Sequence, residues 1–279
     1  MSDVAFVNGR FMPLAEATVS VEDRGFQFGD GVYEVIRTYR GRPFELEAHL
    51  ARLERSVKAL DLPQPYSRSQ WTQYVLEGIN RAAYPEAKIY LQITRGVAPR
   101  DHAFPANATA TVVMTIRELH VLSEEVKSTG VSAIVIDDIR WGRCDIKSVN
   151  LLANVLARQQ AKQARVFETI LVKDGHVTEG AVSNVMAVKG GAVMTAPEGP
   201  LILSGVTRAV VLELARKDGI PVQEQAIPRS DLYCVDELLL TGTTVEVVGV
   251  VKVDGKVIGT GRPGPITQRL AALLRHVTG

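Results

Sequence analysis

The sequence predicts a mixed α/β chain of the α+β kind in two domains, and three observations carry that expectation. Turn dipeptides suited to tight hairpins recur between short apolar runs. Apolar residues switch along the chain between alternation and helical spacing. The length, 279 residues, is nearly twice the ~150 residues of a common domain. Meandering strands followed by helices fit this class better than a doubly wound βαβ sheet.

The elements follow in order. Residues 4–7 and 10–12 flank Asn8-Gly9, a pair that tolerates the positive φ a type I′ turn demands. Residues 33–39 and 43–46 flank Arg40-Gly41-Arg42 as a second hairpin. Leu50, Leu53, Val57 and Leu60 recur at helical spacing and predict a helix over 47–60, with another over 69–82. Strands follow at 87–94 and 110–116. The polar stretch 118–128 places a domain boundary near 118–126, hence an N-terminal domain 1–120 and a C-terminal domain 121–279. The second half opens on a strand at 131–136. Leu151, Leu152, Val155 and Leu156 predict a helix from about 148 to 164. Asp174-Gly175 joins strands 169–172 and 176–179, Asp254-Gly255 joins 251–253 and 256–258, and a helix spans 208–217.

Composition narrows the function. Hydrophobic residues at 46% and charged residues at 23% match soluble globular chains and argue against disorder or collagen-like repeats. A formal net charge of +1 supplies no basic field for nucleic acid and no polybasic membrane anchor. Cys144 and Cys234 make no disulfide framework and lack zinc spacing. No signal peptide is read at the N-terminus and no run approaches the length of a membrane span, so a cytoplasmic, reducing compartment is expected.

Several motifs fall away. Gly259, Gly261 and Gly264 match GxGxxG formally, but Pro263 and Pro265 interrupt the turn and the acidic partner about 20 residues on is missing. The five histidines form no metal-ligand cluster, so no metal is expected. No GxSxG elbow or phosphate loop is present.

A set of polar residues in apolar or Gly-rich surroundings remains. Lys147 precedes an amphipathic helix; it is either a solvated loop residue or, in a pocket, an amine nucleophile. Glu179 ends a hairpin strand, as an edge charge or a lone functional carboxylate. Ser204-Gly-Val-Thr-Arg208 leads into a helix and reads as an N-cap or an anion site. Thr241-Gly-Thr-Thr244 is a hydroxyl-rich turn, and Arg95-Gly-Val-Ala-Pro-Arg-Asp-His102 carries two guanidiniums and an imidazole. Together they match the needs of pyridoxal-phosphate chemistry: a lysine, a ring-nitrogen partner, a phosphate cup and a carboxylate trap.

The chain resembles the class IV (fold type IV) pyridoxal-phosphate aminotransferases along almost its whole length, and within them the D-amino acid branch. The matching segments are Asp23-Arg-Gly-Phe-Gln-Phe-Gly-Asp-Gly-Val-Tyr-Glu34, His49-Leu-Ala-Arg-Leu53, Thr94-Arg-Gly-Val-Ala-Pro-Arg-Asp-His102, Cys144-Asp-Ile-Lys-Ser148, Thr178-Glu-Gly180 and Gly205-Val-Thr-Arg208. The loop with Arg95, Arg100 and His102 points to the D-branch.

The resemblance implies a smaller N-terminal α/β domain, a larger C-terminal pseudo-barrel domain carrying the lysine, and pyridoxal 5′-phosphate in the cleft between them. It implies that Lys147 holds the cofactor as a Schiff base and shuttles the proton at the substrate Cα. Glu179 would face the pyridine nitrogen and keep it protonated. Arg52, the amides of Val206 and Thr207 after Gly205, and the hydroxyls of Thr207, Thr243 or Thr244 would bind the phosphate. Leu203 and Arg140 would line the site. Tyr33 would face the substrate, while Arg100 and His102 would take its α-carboxylate, in a loop reaching the neighbouring subunit of a homodimer. The implied reaction moves the amino group of a D-amino acid such as D-alanine to a 2-oxo acid such as 2-oxoglutarate, by a ping-pong mechanism. Alternatives on the same fold are an L-branched-chain or (R)-amine transaminase and an aminodeoxychorismate lyase; a non-catalytic scaffold has no use for Lys147, Glu179 and Arg52 together. Ala181, Val182 and Gly242 depart from the family pattern, where hydroxyls add cofactor contacts.

Overall fold

The computed structural model describes all 279 residues. Two compact units emerge: Met1–His120 with Ile146–Asn150, and Val121–Asp145 with Leu151–Gly279. Lys147, expected on the C-terminal domain, therefore belongs to the first unit. The physical reason is backbone pairing. Tyr33 N–H donates to the Lys147 carbonyl at 2.9 Å, Val149 N–H donates to the Gly31 carbonyl at 3.0 Å, and Ile146 is buried in the first core.

The first unit comprises β1 (Val4–Val7), β2 (Arg10–Pro13), α1 (Arg24–Phe28), β3 (Gly31–Tyr39), β4 (Arg42–Pro43), α2 (Leu46–Ala59), α3 (Arg68–Ala82), β5 (Ala87–Thr94) and β6 (Thr111–Glu118). Its six strands form an antiparallel sheet in the order β2-β1-β6-β5-β3-β4. The alternation read in 87–94 is real: Ala87, Ile89, Leu91 and Ile93 turn into the core and meet Leu50, Leu53 and Val57 of α2 and Trp71, Val75 and Ile79 of α3. Ser67 starts α3 with a reciprocal capping box to Gln70.

The second unit comprises α4 (Glu124–Thr129), β7 (Val131–Asp137), α5 (Leu152–Gln163), β8 (Glu168–Lys173), β9 (His176–Gly180), β10 (Asn184–Lys189), β11 (Ala192–Thr195), α6 (Val206–Lys217), β12 (Val222–Glu224), β13 (Ile227–Pro228), β14 (Glu237–Gly242), β15 (Glu246–Val253), β16 (Lys256–Val257) and α7 (Pro265–Thr278). Its sheet runs β12-β11-β10-β14-β15-β7-β8-β9-β13, with β16 on β15. The pairs β11–β12, β15–β7 and β7–β8 are parallel, which makes the sheet mixed, as expected of an α+β chain. No helix is long and apolar enough to cross a membrane.

The four hairpin turns form on Asn8-Gly9, Arg40-Gly41, Asp174-Gly175 and Asp254-Gly255, all eight residues at positive φ. The helix expected from 148 begins only at Leu152, because Ser148 and Val149 are held by β3 instead. The GxGxxG stretch is followed by a helix after all, α7. Its N-terminal amides at Ile266 and Thr267 are already taken by the buried Glu237 carboxylate, at 3.0 and 2.7 Å, so the helix end holds an anion from its own chain.

Gly96 anchors the loop between β5 and β6. Its φ is +97°, and an added Cβ would lie 1.8 Å from the Thr109 carbonyl oxygen. Gly96→Ala is expected to destabilise the chain by more than about 1 kcal/mol, read as a lowered urea midpoint with an unchanged slope; an unchanged midpoint would show that the loop yields freely.

Candidate active site

In the first unit the site is built on β3 and α2. Alternation along β3 sends Glu34 inward, where it is fully buried. His49 and Arg52 lie three residues apart on one face of α2, so both reach it. Arg52 grips the Glu34 carboxylate through Nε at 2.9 Å and Nη2 at 2.6 Å, and His49 Nδ1 lies 3.0 Å from Oε1. Burial alone would raise the Glu34 pKa; the Arg52 charge and the hydrogen bonds from His49 and Arg52 outweigh it and hold the carboxyl well below its usual range. An ionised carboxylate only accepts, so His49 Nδ1 carries the proton. Burial, opposed by Glu34 but joined by the charges of Arg52 and Lys147, lowers the His49 pKa and keeps the ring neutral.

Tyr33, next to Glu34, points to the opposite face of β3. The Nζ of the half-buried Lys147 stands 4.3 Å from the centre of its ring, and the Tyr90 ring stacks on Tyr33 with centres 5.6 Å apart. Burial pushes the Tyr90 hydroxyl up to about 12, so it serves as a neutral donor, to Gln92 at 2.6 Å. Lys147 is further fixed through its backbone N–H, which donates to Ser56 Oγ at 3.2 Å.

Arg100 and His102 come together on one ring. The Arg100 guanidinium lies 4.5 Å from the Phe28 ring centre and the His102 ring 5.3 Å from it. Both side chains are exposed. Arg24, buried beside them, donates to the carbonyls of Asp101 and His102 at 2.5 and 3.3 Å and to Asp30 at 2.8 Å. Arg95 also clamps Asp30, at 2.8 and 3.1 Å.

In the second unit, Glu179 on β9 is 5% exposed. Its Oε2 accepts from Asn184 Nδ2 at 3.0 Å and from the Leu203 backbone N–H at 3.1 Å, and its Oε1 accepts from Arg140 Nη1. Asn184 also donates to the Leu203 carbonyl at 2.9 Å. The helix after it begins two residues earlier than expected: Gly205 is the N-cap of α6, with no side-chain cap, and Val206 and Thr207 are its first, buried residues. Only glycine fits at 205, since a Cβ would lie 2.0 Å from Asn184 Oδ1. The β14–β15 turn carries Thr243 and Thr244. Just before it, Thr241 pairs across the sheet with Asn184 and its fully buried hydroxyl has no hydrogen-bond partner.

The first unit thus joins Tyr33 to Lys147 and Arg52 to Glu34, while the Arg100–His102 pair sits apart on Phe28. The second joins Glu179, Leu203, Gly205 and the start of α6. Glu34, His49 and Asn184 escaped sequence reasoning as site residues. The available signal was polarity inside the apolar strand Val32-Tyr-Glu-Val-Ile36 and a His–Arg pair at helical spacing.

The first unit offers a lysine amine beside an aromatic ring, and the second a buried carboxylate and a side-chain-uncapped helix end. The sequence profile of amino-transferase class IV matches residues 31–253, and the chain belongs to that family of pyridoxal-phosphate enzymes. It is 43% identical to the D-alanine aminotransferase of Bacillus licheniformis, over 96% of this chain and 95% of the relative, and 41% identical to that of Staphylococcus haemolyticus, over 95% and 94%. Among solved structures it is similar to the T.th. branched-chain amino acid aminotransferase with pyridoxamine 5′-phosphate (TM-score 0.94, 28% identity, 100% of this chain and 94% of that one). The Escherichia coli branched-chain enzyme gives a TM-score of 0.90 at 29% identity, over 97% and 92%.

Two variants test the buried cluster. Glu34→Gln leaves the Arg52 guanidinium buried without its counter-charge and is expected to cost about 3–5 kcal/mol, measured by urea unfolding; a loss under about 1 kcal/mol would contradict the pairing. His49 titrates lower folded than unfolded, so its contribution is complete above its ordinary pKa of 6.5 and fades as pH falls below it, when the unfolded chain takes up the proton first. His49→Gln is expected to flatten the fall in melting temperature between pH 6.5 and 5; an unchanged slope would assign that fall to other groups.

Proposed function

We propose that this chain is a D-amino acid aminotransferase, moving the amino group of D-alanine and similar substrates to a 2-oxo acid such as 2-oxoglutarate in two ping-pong half-reactions. The observation that carries the reading is the Lys147 amine poised over the Tyr33 ring, fixed through a backbone paired with β3.

Pyridoxal phosphate, when bound, supplies an aldehyde carbon for amines and a ring that draws electrons from the adjoining carbon. The residues fit such a group. The side-chain-uncapped N-terminus of α6, with Thr207, suits a phosphate dianion, as do Thr243 and Thr244; the Thr241 hydroxyl, on the strand that leads into their turn, is buried without a hydrogen-bond partner. Arg52 supplies the cation, its orientation set by Glu34. Glu179 offers a fixed carboxylate to a ring nitrogen. Lys147 would be the base that takes the proton from the substrate Cα and delivers it to the carbon that was the cofactor's aldehyde carbon, and would run the reverse transfer in the second half-reaction. The departures at Ala181, Val182 and Gly242 remove side-chain hydroxyls, and Ser183 donates instead to the buried Glu168 at 3.0 Å.

Arg100 and His102 receive the substrate α-carboxylate, Arg100 by its forked geometry. Their exposure supports a homodimer in which this loop serves the neighbouring subunit. The D-preference is supported by the D-alanine aminotransferase relatives at 41–43% identity. Two free cysteines support a cytoplasmic setting; burial pushes the Cys144 thiol up to about 11, leaving it protonated and unreactive. The fit to branched-chain enzymes favours one second reading, an L-branched-chain aminotransferase.

Purified protein with pyridoxal phosphate is offered D-alanine and L-leucine side by side with 2-oxoglutarate. Turnover of D-alanine at more than about 100-fold the L-leucine rate is expected, a barrier difference of about 2.7 kcal/mol, with Lys147→Ala silent on both. Preferred use of L-leucine would install the second reading, and turnover by Lys147→Ala would remove the lysine from its role.

A further inference from the structure

Glu179 does not stand alone. Asp138, the residue after β7, and Arg140 extend from it in an alternating chain of charge. The side chains of Asp138, Arg140 and Glu179 are 3%, 8% and 7% exposed, so bulk water screens their charges weakly. Arg140 closes on Asp138 with two parallel bonds, Nε to Oδ1 at 2.9 Å and Nη2 to Oδ2 at 2.7 Å, and gives its remaining terminal nitrogen, Nη1, to Glu179 Oε1. Nη2 also donates to the Leu201 carbonyl at 3.1 Å. Asp138 is itself held by the Thr178 hydroxyl at 2.8 Å and by the Arg140 backbone N–H at 3.0 Å. Its own backbone N–H donates to the Val172 carbonyl at 2.7 Å, prolonging the β7–β8 pairing.

The electrostatics of this cluster are unusual for a simple ion pair. An arginine facing one carboxylate would cancel it and leave little field for a cation nearby. Here one guanidinium serves two carboxylates, and the cluster keeps a net charge of −1. Glu179 is meanwhile bonded on both oxygens, by Arg140 on one side and by Asn184 and Leu203 on the other, so the direction in which it faces is set by its partners. The arginine fixes the carboxylate and the aspartate offsets the arginine.

We propose that Asp138 and Arg140 are positioning residues for Glu179: Arg140 orients its carboxylate, and Asp138 restores the negative charge with which the cluster favours a protonated ring nitrogen on the cofactor. This rests on the reading that Glu179 faces that nitrogen. Asp138 and Arg140 act through Glu179 and need not touch the cofactor.

The test compares binding of two ligands to the apoprotein: pyridoxal phosphate, and its 1-deaza analogue, in which carbon replaces the ring nitrogen and cannot be protonated. Dissociation constants are read from the absorbance change on titration, without turnover. Glu179→Gln is expected to weaken pyridoxal phosphate roughly tenfold, the equivalent of about one pKa unit on the ring nitrogen, while leaving the analogue unchanged. Asp138→Asn, which removes a negative charge, is expected to narrow the preference for pyridoxal phosphate over the analogue in the same direction, roughly threefold or more. Arg140→Gln makes the cluster more negative but releases the Glu179 carboxylate, and is expected to narrow the preference because the lost orientation outweighs the added charge, with Arg140→Lys recovering part of it. Melting temperatures of the apoproteins identify any variant that fails to fold, and the near-isosteric Asp138→Asn carries the test if Arg140→Gln does. If Glu179→Gln narrows the preference but Asp138→Asn does not, the positioning proposal is wrong and the reading of Glu179 stands. If Glu179→Gln weakens both ligands equally, the reading of Glu179 falls and the proposal with it.

Discussion

A carboxylate at zero exposure cannot remain charged unless cations and donors surround it, and Glu34 imposes that demand on the first unit. The demand is met from α2, by the forked grip of Arg52 and the ring of His49. That in turn fixes how α2 lies against β3, because two side chains three residues apart must both converge on one carboxylate. Alternation along the same strand then turns Tyr33 to the opposite face, beneath the Lys147 amine. One buried charge therefore orders a helix, a strand and the ring beside the Lys147 amine. It also keeps Arg52, the cation proposed for the phosphate, in a single orientation, at the cost of a fixed ion pair that can be broken but not softened.

The second unit solves a similar problem with a different balance. Glu179 shares Arg140 with Asp138, and its other oxygen is held by Asn184 and Leu203. Asn184 links this carboxylate to the start of α6, where its Oδ1 leaves room only for Gly205. The carboxylate and the uncapped helix end are thus parts of one hydrogen-bonded assembly. A group with a basic nitrogen and a phosphate would be recognised by neighbours already set relative to each other, which lowers the ordering that binding must impose.

Much of the fold was legible because its signals are local. Asn8-Gly9, Asp174-Gly175 and Asp254-Gly255 carry their turn chemistry in two residues, and alternation over 87–94 states which face is buried. Lys147 was legible as a residue but not in its place. Its segment looks like the run-up to a helix, yet Ser148 and Val149 pair with β3, a partner more than a hundred residues away. Arg140 was legible only as a lining residue through the resemblance, and its pairing with Asp138 was not: its meaning depends on Glu179, some forty residues on, and Asp-Ile-Arg has no periodicity to announce it. Glu34 and His49 lay in plain view inside the segments that carried the resemblance, but burial, which makes them consequential, is a property of packing.

The role proposed for Lys147 is exchange of the Cα proton of a D-amino acid. Its most direct test is proton NMR of alanine incubated in heavy water with the protein and pyridoxal phosphate, without a 2-oxo acid acceptor. The α-proton signal of D-alanine is expected to decay while that of L-alanine persists, and Lys147→Ala should preserve both. Decay of the L-alanine signal with D-alanine untouched would contradict the account, as would decay that survives the loss of Lys147.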